Sequence, residues 1–225
     1  MTASNVKRFL LITGSNVLKY QLHLVPTRFY TLLEEASDVV WDHAVTAEAA
    51  LAENPRREYD ALVFFCFFET LSEVAINHLR AFMEAGKGIL VVHSGLASFM
   101  ETDMWAREVV GVRYHHAATA DKQKTVSTLD VEMIIRPAGE HPINRGLTEF
   151  ELVDEAYKGL EIVSPTTPLF ETDHPASDGP VAWTGPSPTC RTVVLEPGHT
   201  AETFSNPTYR EIVHRSLAWV ARIER

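Results

Sequence analysis

Apolar positions arrive in two rhythms along this chain. Short continuous runs, "RFLLITG" at 8–14 and "YDALVFFCFF" at 59–68, have almost no polar face, the pattern of strands buried on both sides. Between them the spacing turns helical. "PTRFYTLLEEAS" puts Phe29, Leu32, Leu33 and Ala36 on one face behind Pro26, a good first-turn residue. "DVVWDHA" reads as a strand and "TAEAALAEN" as a short helix. The clearest helix is "ETLSEVAINHLRAFMEAGKG". There Thr70 and Glu73 form a capping box, Gly86 ends the run, and Leu71, Val74, Ala75, Leu79, Phe82 and Met83 keep the helical period. The strand "GILVVH" follows at once. Such alternation over 8–93 predicts a mainly parallel sheet with helices on both faces, an α/β fold.

Beyond residue 93 the rhythm weakens. A weak helix should end near Gly111, and "TVSTLDVEMIIRP" alternates as an exposed or antiparallel strand. From 137 to 190 prolines and glycines break up short strand candidates such as "PVAWT". A loop-rich, partly antiparallel insertion is expected over about 112–190, inside one domain spanning 1–225. "RTVVLEPGHT" returns to the buried-strand pattern. The C-terminal helix has Asn206 as its cap and Pro207 in first position. Tyr209, Ile212, Val213, Ser216, Trp219, Val220 and Ile223 line its inner face, so Trp219 is expected in the core.

With 45% apolar and 22% charged residues the chain has the composition of a globular protein. A net charge of -10 and the lack of a basic block argue against a nucleic-acid partner. Cys66 and Cys190 are too few for a disulfide framework and fit a reducing compartment. The apolar run after Lys7 and Arg8 is too short to span a membrane and lacks a cleavage pattern, so a cytoplasmic location is expected and a membrane partner is not.

Ligands of open parallel sheets gather at the carboxyl ends of the strands. Four polar features fall there: Gly14-Ser15-Asn16, Glu69, His93-Ser94-Gly95 and Gly198-His199-Thr200. A lone histidine at a strand end is more often structural than catalytic, but two on neighbouring strands raise the case for chemistry. His115, His116, His141, Asp154, Glu155 and Tyr157 are further candidates. Adjacent histidines in a strand face opposite ways, so at most one of His115 and His116 should join a common site. Paired acids such as Asp154 and Glu155 are usually a solvated turn. Imidazoles converging with a carboxylate could hold a divalent metal such as Zn or Mn, although no short ligand motif is present. No glycine-rich phosphate cradle and no G-x-S-x-G elbow occur, so no nucleotide cofactor is expected.

The order of motifs matters more than any one of them. "ITG", "GILVVHSG", "GVRYHH", "HPINRGL", "VDEAY", "PVAW" and "RTVVLEPGHTAETFSNPTYREIVHRSLAW" together resemble the ThuA-like family, named for trehalose utilisation. The resemblance implies a flavodoxin-like fold of the class I glutamine amidotransferase-like kind. The amidotransferases carry a nucleophilic cysteine at the turn where this chain reads His93-Ser94, so no glutaminase activity is implied. It implies instead a role in carbohydrate metabolism, with a keto-sugar or glycoside as the small-molecule ligand and proton transfer of isomerase type as the reaction. His93, His116 or His115, Asp154, Glu155 and His199 carry over as candidates. Glu155 would be the base, with His93 and His199 polarising oxygen or binding metal; the candidate metal set is His93, His116 and His199. Gly14, Ser15, Asn16, Ser94, Tyr157 and Trp183 are candidate substrate contacts. Two other readings stay open: a non-catalytic sugar-binding or regulatory module with Trp41, Trp105, Trp183 and Tyr157 ringing its pocket, and a metal-dependent hydrolase. The apolar content of the loop-rich segment leaves room for a homo-oligomer contact.

Overall fold

The computed structural model describes residues 6–16, 26–36 and 38–223; residues 1–5, on which the reading of the N-terminus partly rests, lie outside it. The first half alternates as its pattern requires: β1 (Lys7–Ser15), α1 (Pro26–Glu35), β2 (Val39–Ala44), α2 (Ala47–Ala52), β3 (Ala61–Phe67), α3 (Glu73–Glu84) and β4 (Gly88–Val92). A π-helical segment, Trp105–Val110, then ends at Gly111. Short β5 (Val112–Arg113), long β6 (Val126–Pro137), β7 (Phe150–Lys158), β8 (Glu161–Ile162), β9 (Thr167–Glu171), β10 (Pro180–Thr184) and β11 (Thr192–Leu195) lead to α4 (Pro207–Val220).

Nine strands form one sheet in the order β2-β1-β3-β4-β11-β10-β9-β6-β7, and β5 pairs with β8 apart from it. β2, β1, β3, β4 and β11 run parallel to their neighbours, whereas β10, β9, β6 and β7 join by antiparallel pairing. The expected insertion therefore continues the sheet from the edge of β11.

Successive residues of the parallel strands split between two apolar layers. Phe9, Leu11, Val63, Phe65, Leu90 and Val92 pack with α1 and α4. Leu10, Ile12, Leu62, Phe64, Ile89 and Val91 pack with α2, α3 and Trp105 of the π-helical segment. Each fully buried Phe, Leu, Ile or Val stabilises the fold by about 1.5–3 kcal/mol relative to exposure, which fixes the register of the central strands.

Three local expectations are corrected. The cap of α3 is Ser72, whose hydroxyl accepts from the Ala75 N–H. No Thr70–Glu73 box forms, because Glu48 of α2 takes the Ser72 N–H and hydroxyl instead. Val74 faces outward at 56% exposure. Trp219 is only partly buried at the margin of the core, with the Arg191 guanidinium 5.0 Å over its ring.

The β6–β7 hairpin positions the site. β6 touches β9 only at Arg136↔Glu171 and Pro137↔Phe170, so most of the hairpin stands beyond the sheet body. A register shift between Thr128 and Val131, with Asp130 at φ +54°, bends it. Val131, Met133, Ile135, Leu152 and Ala156 on its inner face join the core and hold it down.

Candidate functional site

His93 follows the last residue of β4 directly and takes φ +46°, a left-handed conformation that costs a non-glycine residue about 1–3 kcal/mol. A core strand ends on this histidine because the strained turn presents its ring at the carboxyl rim. β11 pairs parallel to β4, so the turn that follows β11 lies beside it and supplies His199. Gly198 makes that approach possible: it sits at φ +143°, and a Cβ there would lie 3.0 Å from the His93 Cβ. Glu155 arrives from β7.

Three side chains converge. His93 Nε2 lies 3.3 Å from Glu155 Oε2 and 3.2 Å from His199 Nδ1, and His199 Nδ1 lies 3.1 Å from Glu155 Oε2. The His93 Nδ1–H donates to the backbone carbonyl of Glu196 at 3.0 Å, which assigns the lone pair to Nε2. Tyr157, buried beside them, donates its hydroxyl to Glu155 Oε2 at 3.3 Å. The side chain of His199 is 42% exposed, against 11% for Glu155 and 4% for His93, so a ligand would reach the centre from the His199 side.

The environments set different protonation states. Burial pushes His93 below the ordinary imidazole value, against the opposing pull of Asp154 and Glu155, and keeps it neutral. The hydrogen bond to Glu155 raises His199, outweighing burial. Burial alone would raise Glu155, but the His199 hydrogen bond and the neighbouring His93 bring it below the usual carboxylate range. A carboxylate, a cation-favouring imidazole and a neutral imidazole thus share one small volume.

Asp154 and Glu155 are not a solvated turn; they lie in a buried strand at 0% and 9% exposure. The two acids have different employments. Asp154 accepts from the N–H groups of Glu155, Gly198 and His199 at 2.7, 3.1 and 3.1 Å and from the Thr203 hydroxyl. Those bonds occupy the carboxylate, so Asp154 staples β7 to the loop after β11 and lies behind the three converging side chains.

The other candidates fall elsewhere. Gly14, Ser15 and Asn16 sit at the tip of β1, two strands from β4, about 10 Å along the rim. Asn16 Nδ2 donates to Glu69 Oε2 at 3.4 Å, and a Cβ on Gly14 would lie 2.3 Å from the Val45 carbonyl oxygen. The Ser94 hydroxyl is buried with no partner among the described residues and presents no exposed contact. Trp183 is enclosed in the core with its indole N–H on the Val110 carbonyl, so it is a packing residue, not a substrate contact. Trp105 is likewise buried and Trp41 stacks on Tyr30 at the β2 edge, so no tryptophan ring surrounds the centre. His116 Nε2 bonds the Ala97 carbonyl at 2.9 Å, and His115 pairs with Glu161 at 2.9 Å. Among the described residues, the metal-capable group is His93, Glu155 and His199, with Glu155 in the place given to His116.

Glu196 was missed. Its Oε1 accepts the Tyr157 N–H at 3.2 Å, its Oε2 has no partner among the described residues, and burial holds its carboxyl well above the ordinary range. The signal was present in "TVVLEPG": an acid closing a wholly apolar strand, as His93 closes β4.

An α/β protein with a mostly parallel sheet and a polar centre at its carboxyl rim is the class that fold and site define, consistent with a flavodoxin-like, amidotransferase-like architecture. The trehalose utilisation family model, ThuA, matches residues 16–220, and the chain belongs to that family, which places it in carbohydrate metabolism. Its fold is similar to a ThuA-like protein from Parabacteroides merdae ATCC 43184 (15% identity, 96% of this chain and 90% of that one, TM-score 0.76). It is also similar to a ThuA-like protein from Bacteroides uniformis ATCC 8492 (15% identity, 98% and 93%, TM-score 0.73). A third likeness is a cytoplasmic protein from Salmonella typhimurium LT2 (14% identity, 96% and 98%, TM-score 0.61). No curated protein matches the sequence. Among the described residues, no helix is long and apolar enough to cross a membrane.

Proposed function

We propose that this protein is a cytoplasmic enzyme of carbohydrate metabolism that moves a proton on a keto-sugar or keto-glycoside at the His93–Glu155–His199 centre. The observation that carries the reading is the convergence of these three polar atoms within 3.1–3.3 Å on the rim, in three different protonation environments. Glu155 takes the acidic proton from the carbon beside the carbonyl. The C–H electron pair becomes the new C=C bond, and the carbonyl π pair moves to oxygen. His199 supplies the proton that this oxygen takes up, giving an enediol. Glu155 then returns the proton to the former carbonyl carbon, while the other enediol hydroxyl gives its proton back to His199 and its O–H electron pair forms the new carbonyl, which completes the isomerisation and restores both residues. His93, held by the Glu196 carbonyl, orients His199 by accepting from its Nδ1–H through Nε2. Acid–base help of this kind is worth about 10²–10⁴ in rate.

The same three atoms favour a second reading. Ligands bonded at about 2.0–2.2 Å to a tetrahedral zinc lie roughly 3.3 Å apart, close to the separations of this trio, and the His93 Nδ1–H on a carbonyl is the usual support of a metal-bound imidazole. His93, Glu155 and His199 would hold such an ion, which when bound would polarise a carbonyl or activate water. A metal-dependent hydrolase would then be the activity. The sugar-binding module has less support, since the tryptophans it needs are in the core or at a distant edge.

Proton NMR of candidate 3-keto glycosides in D₂O tests the proposal. Wild-type protein should introduce deuterium beside the carbonyl, and Glu155→Gln should not. Hydrolysis products without deuterium uptake, together with stoichiometric metal in the purified protein, would replace the first reading by the second.

A further inference from the structure

A second polar concavity lies at the opposite end of the sheet. Arg191 immediately precedes β11, whose four residues put it about 13 Å from the catalytic rim. A cavity of ≈ 380 Å³ there is lined by Arg145, Arg191, Arg215, Trp219, Glu211 and Ile223, among others. Its volume falls near the lower end for small-molecule sites, enough for a ligand one ring in size.

The three guanidinium groups have unequal freedom. Arg215 is committed, with Nε on Glu211 at 2.7 Å and Nη1 on the Arg145 carbonyl at 2.6 Å. Arg191 spends Nη1 on the Trp219 carbonyl at 3.0 Å, near the end of α4, where a cation also answers the helix dipole. Its remaining N–H groups have no acceptor among the described residues. The Arg145 side chain is exposed and has no hydrogen-bond or ion-pair partner there at all. Glu211 is the carboxylate of this lining and is neutralised by Arg215. Burial, and after it the neighbouring Arg222, push Arg191 below its ordinary value, so a further cation stands beside this lining. Beside these groups stands the half-buried indole of Trp219, with Arg191 over its ring and His141 at 4.9 Å.

We propose that this pocket binds a small phosphorylated molecule, one sugar ring in size, with its phosphate between Arg145 and Arg191 and its ring against Trp219. Arginine forks match the oxygen spacing of a phosphate, and an aromatic face suits the C–H side of a sugar ring. This site is separate from the His93 centre and does not rest on the reaction proposed for it.

The test is tryptophan fluorescence and calorimetry with inorganic phosphate, glucose 6-phosphate and glucose at constant ionic strength. Saturable binding of phosphate, tighter binding of glucose 6-phosphate and none of glucose are expected. Arg145→Ala should weaken both anions by about tenfold without moving Tm, since it keeps the Arg145 backbone bonds and removes a side chain with no hydrogen-bond or ion-pair partner among the described residues. Trp219→Phe should abolish the fluorescence change while the heat of binding remains. Phosphate and glucose 6-phosphate acting only as chloride does at millimolar concentration, or Arg145→Ala binding as tightly as wild type, would overturn the proposal.

Discussion

The parallel half of the sheet and its antiparallel extension contribute to one centre in different ways. β4 and β11 bring His93 and His199 together through a pairing that buries every strand residue, so their separation is fixed by the core. β7 is the last strand of the sheet, and it brings Glu155 through a hairpin largely free of β9 and tied by polar bonds: Asp154 to the 198–203 loop and Glu196 to the Tyr157 N–H. Hydrophobic packing sets the strands that lead to the imidazoles, whereas buried hydrogen bonds through Asp154 join the strand of the carboxylate to the turn that carries His199. A centre assembled from both should fail differently when each is damaged.

The largest effect should come from the extension. Glu155→Gln removes the charge but keeps the shape, and deuterium uptake should fall about 10²–10⁴-fold with Tm little changed. Equal uptake by the variant would show that the carboxylate is not the base. Next, Asp154→Ala strands the N–H groups of Gly198, His199 and Glu155, at a cost of about 3 kcal/mol or more in urea unfolding. A loss below about 0.5 kcal/mol would mean that the staple does not hold the hairpin. On the parallel side, Gly198→Ala should cost about 2 kcal/mol, because φ +143° disfavours a side chain and the new Cβ meets that of His93. The smallest effect is on the limbs of the pH profile. Glu155 must be ionised, so activity falls as pH drops through its lowered pKa, below 4.5. His199 must be protonated, so activity falls as pH rises through its raised pKa, above 6.5. His199→Gln should abolish the alkaline limb, and its persistence would assign that limb to another group.

The same division explains what was legible in the sequence. "LVFFCFF" and "GILVV" have one stable solution, strands inside a covered parallel sheet, and β3 and β4 form there. His93 and His199 could be placed as neighbours because they close two such runs. Asp154 and Glu155 were less readable. Whether an acid pair is a solvated turn or a buried staple depends on donors some 45 residues away at Gly198, His199 and Thr203, and no local period carries that information. Trp183 misled for the opposite reason. It was placed among the candidate substrate contacts, yet "PVAWT", read as a short strand, is an interior one whose indole fills the core.

The claim that the two halves of the sheet build one proton-transfer unit is tested most directly by deuterium-uptake rates of Glu155→Gln, His199→Gln and the double variant. Residues that act as a unit are strongly non-additive, so the double variant should be about as slow as the slower single one. Losses that multiply would contradict a shared centre and leave Glu155 and His199 as independent contributors.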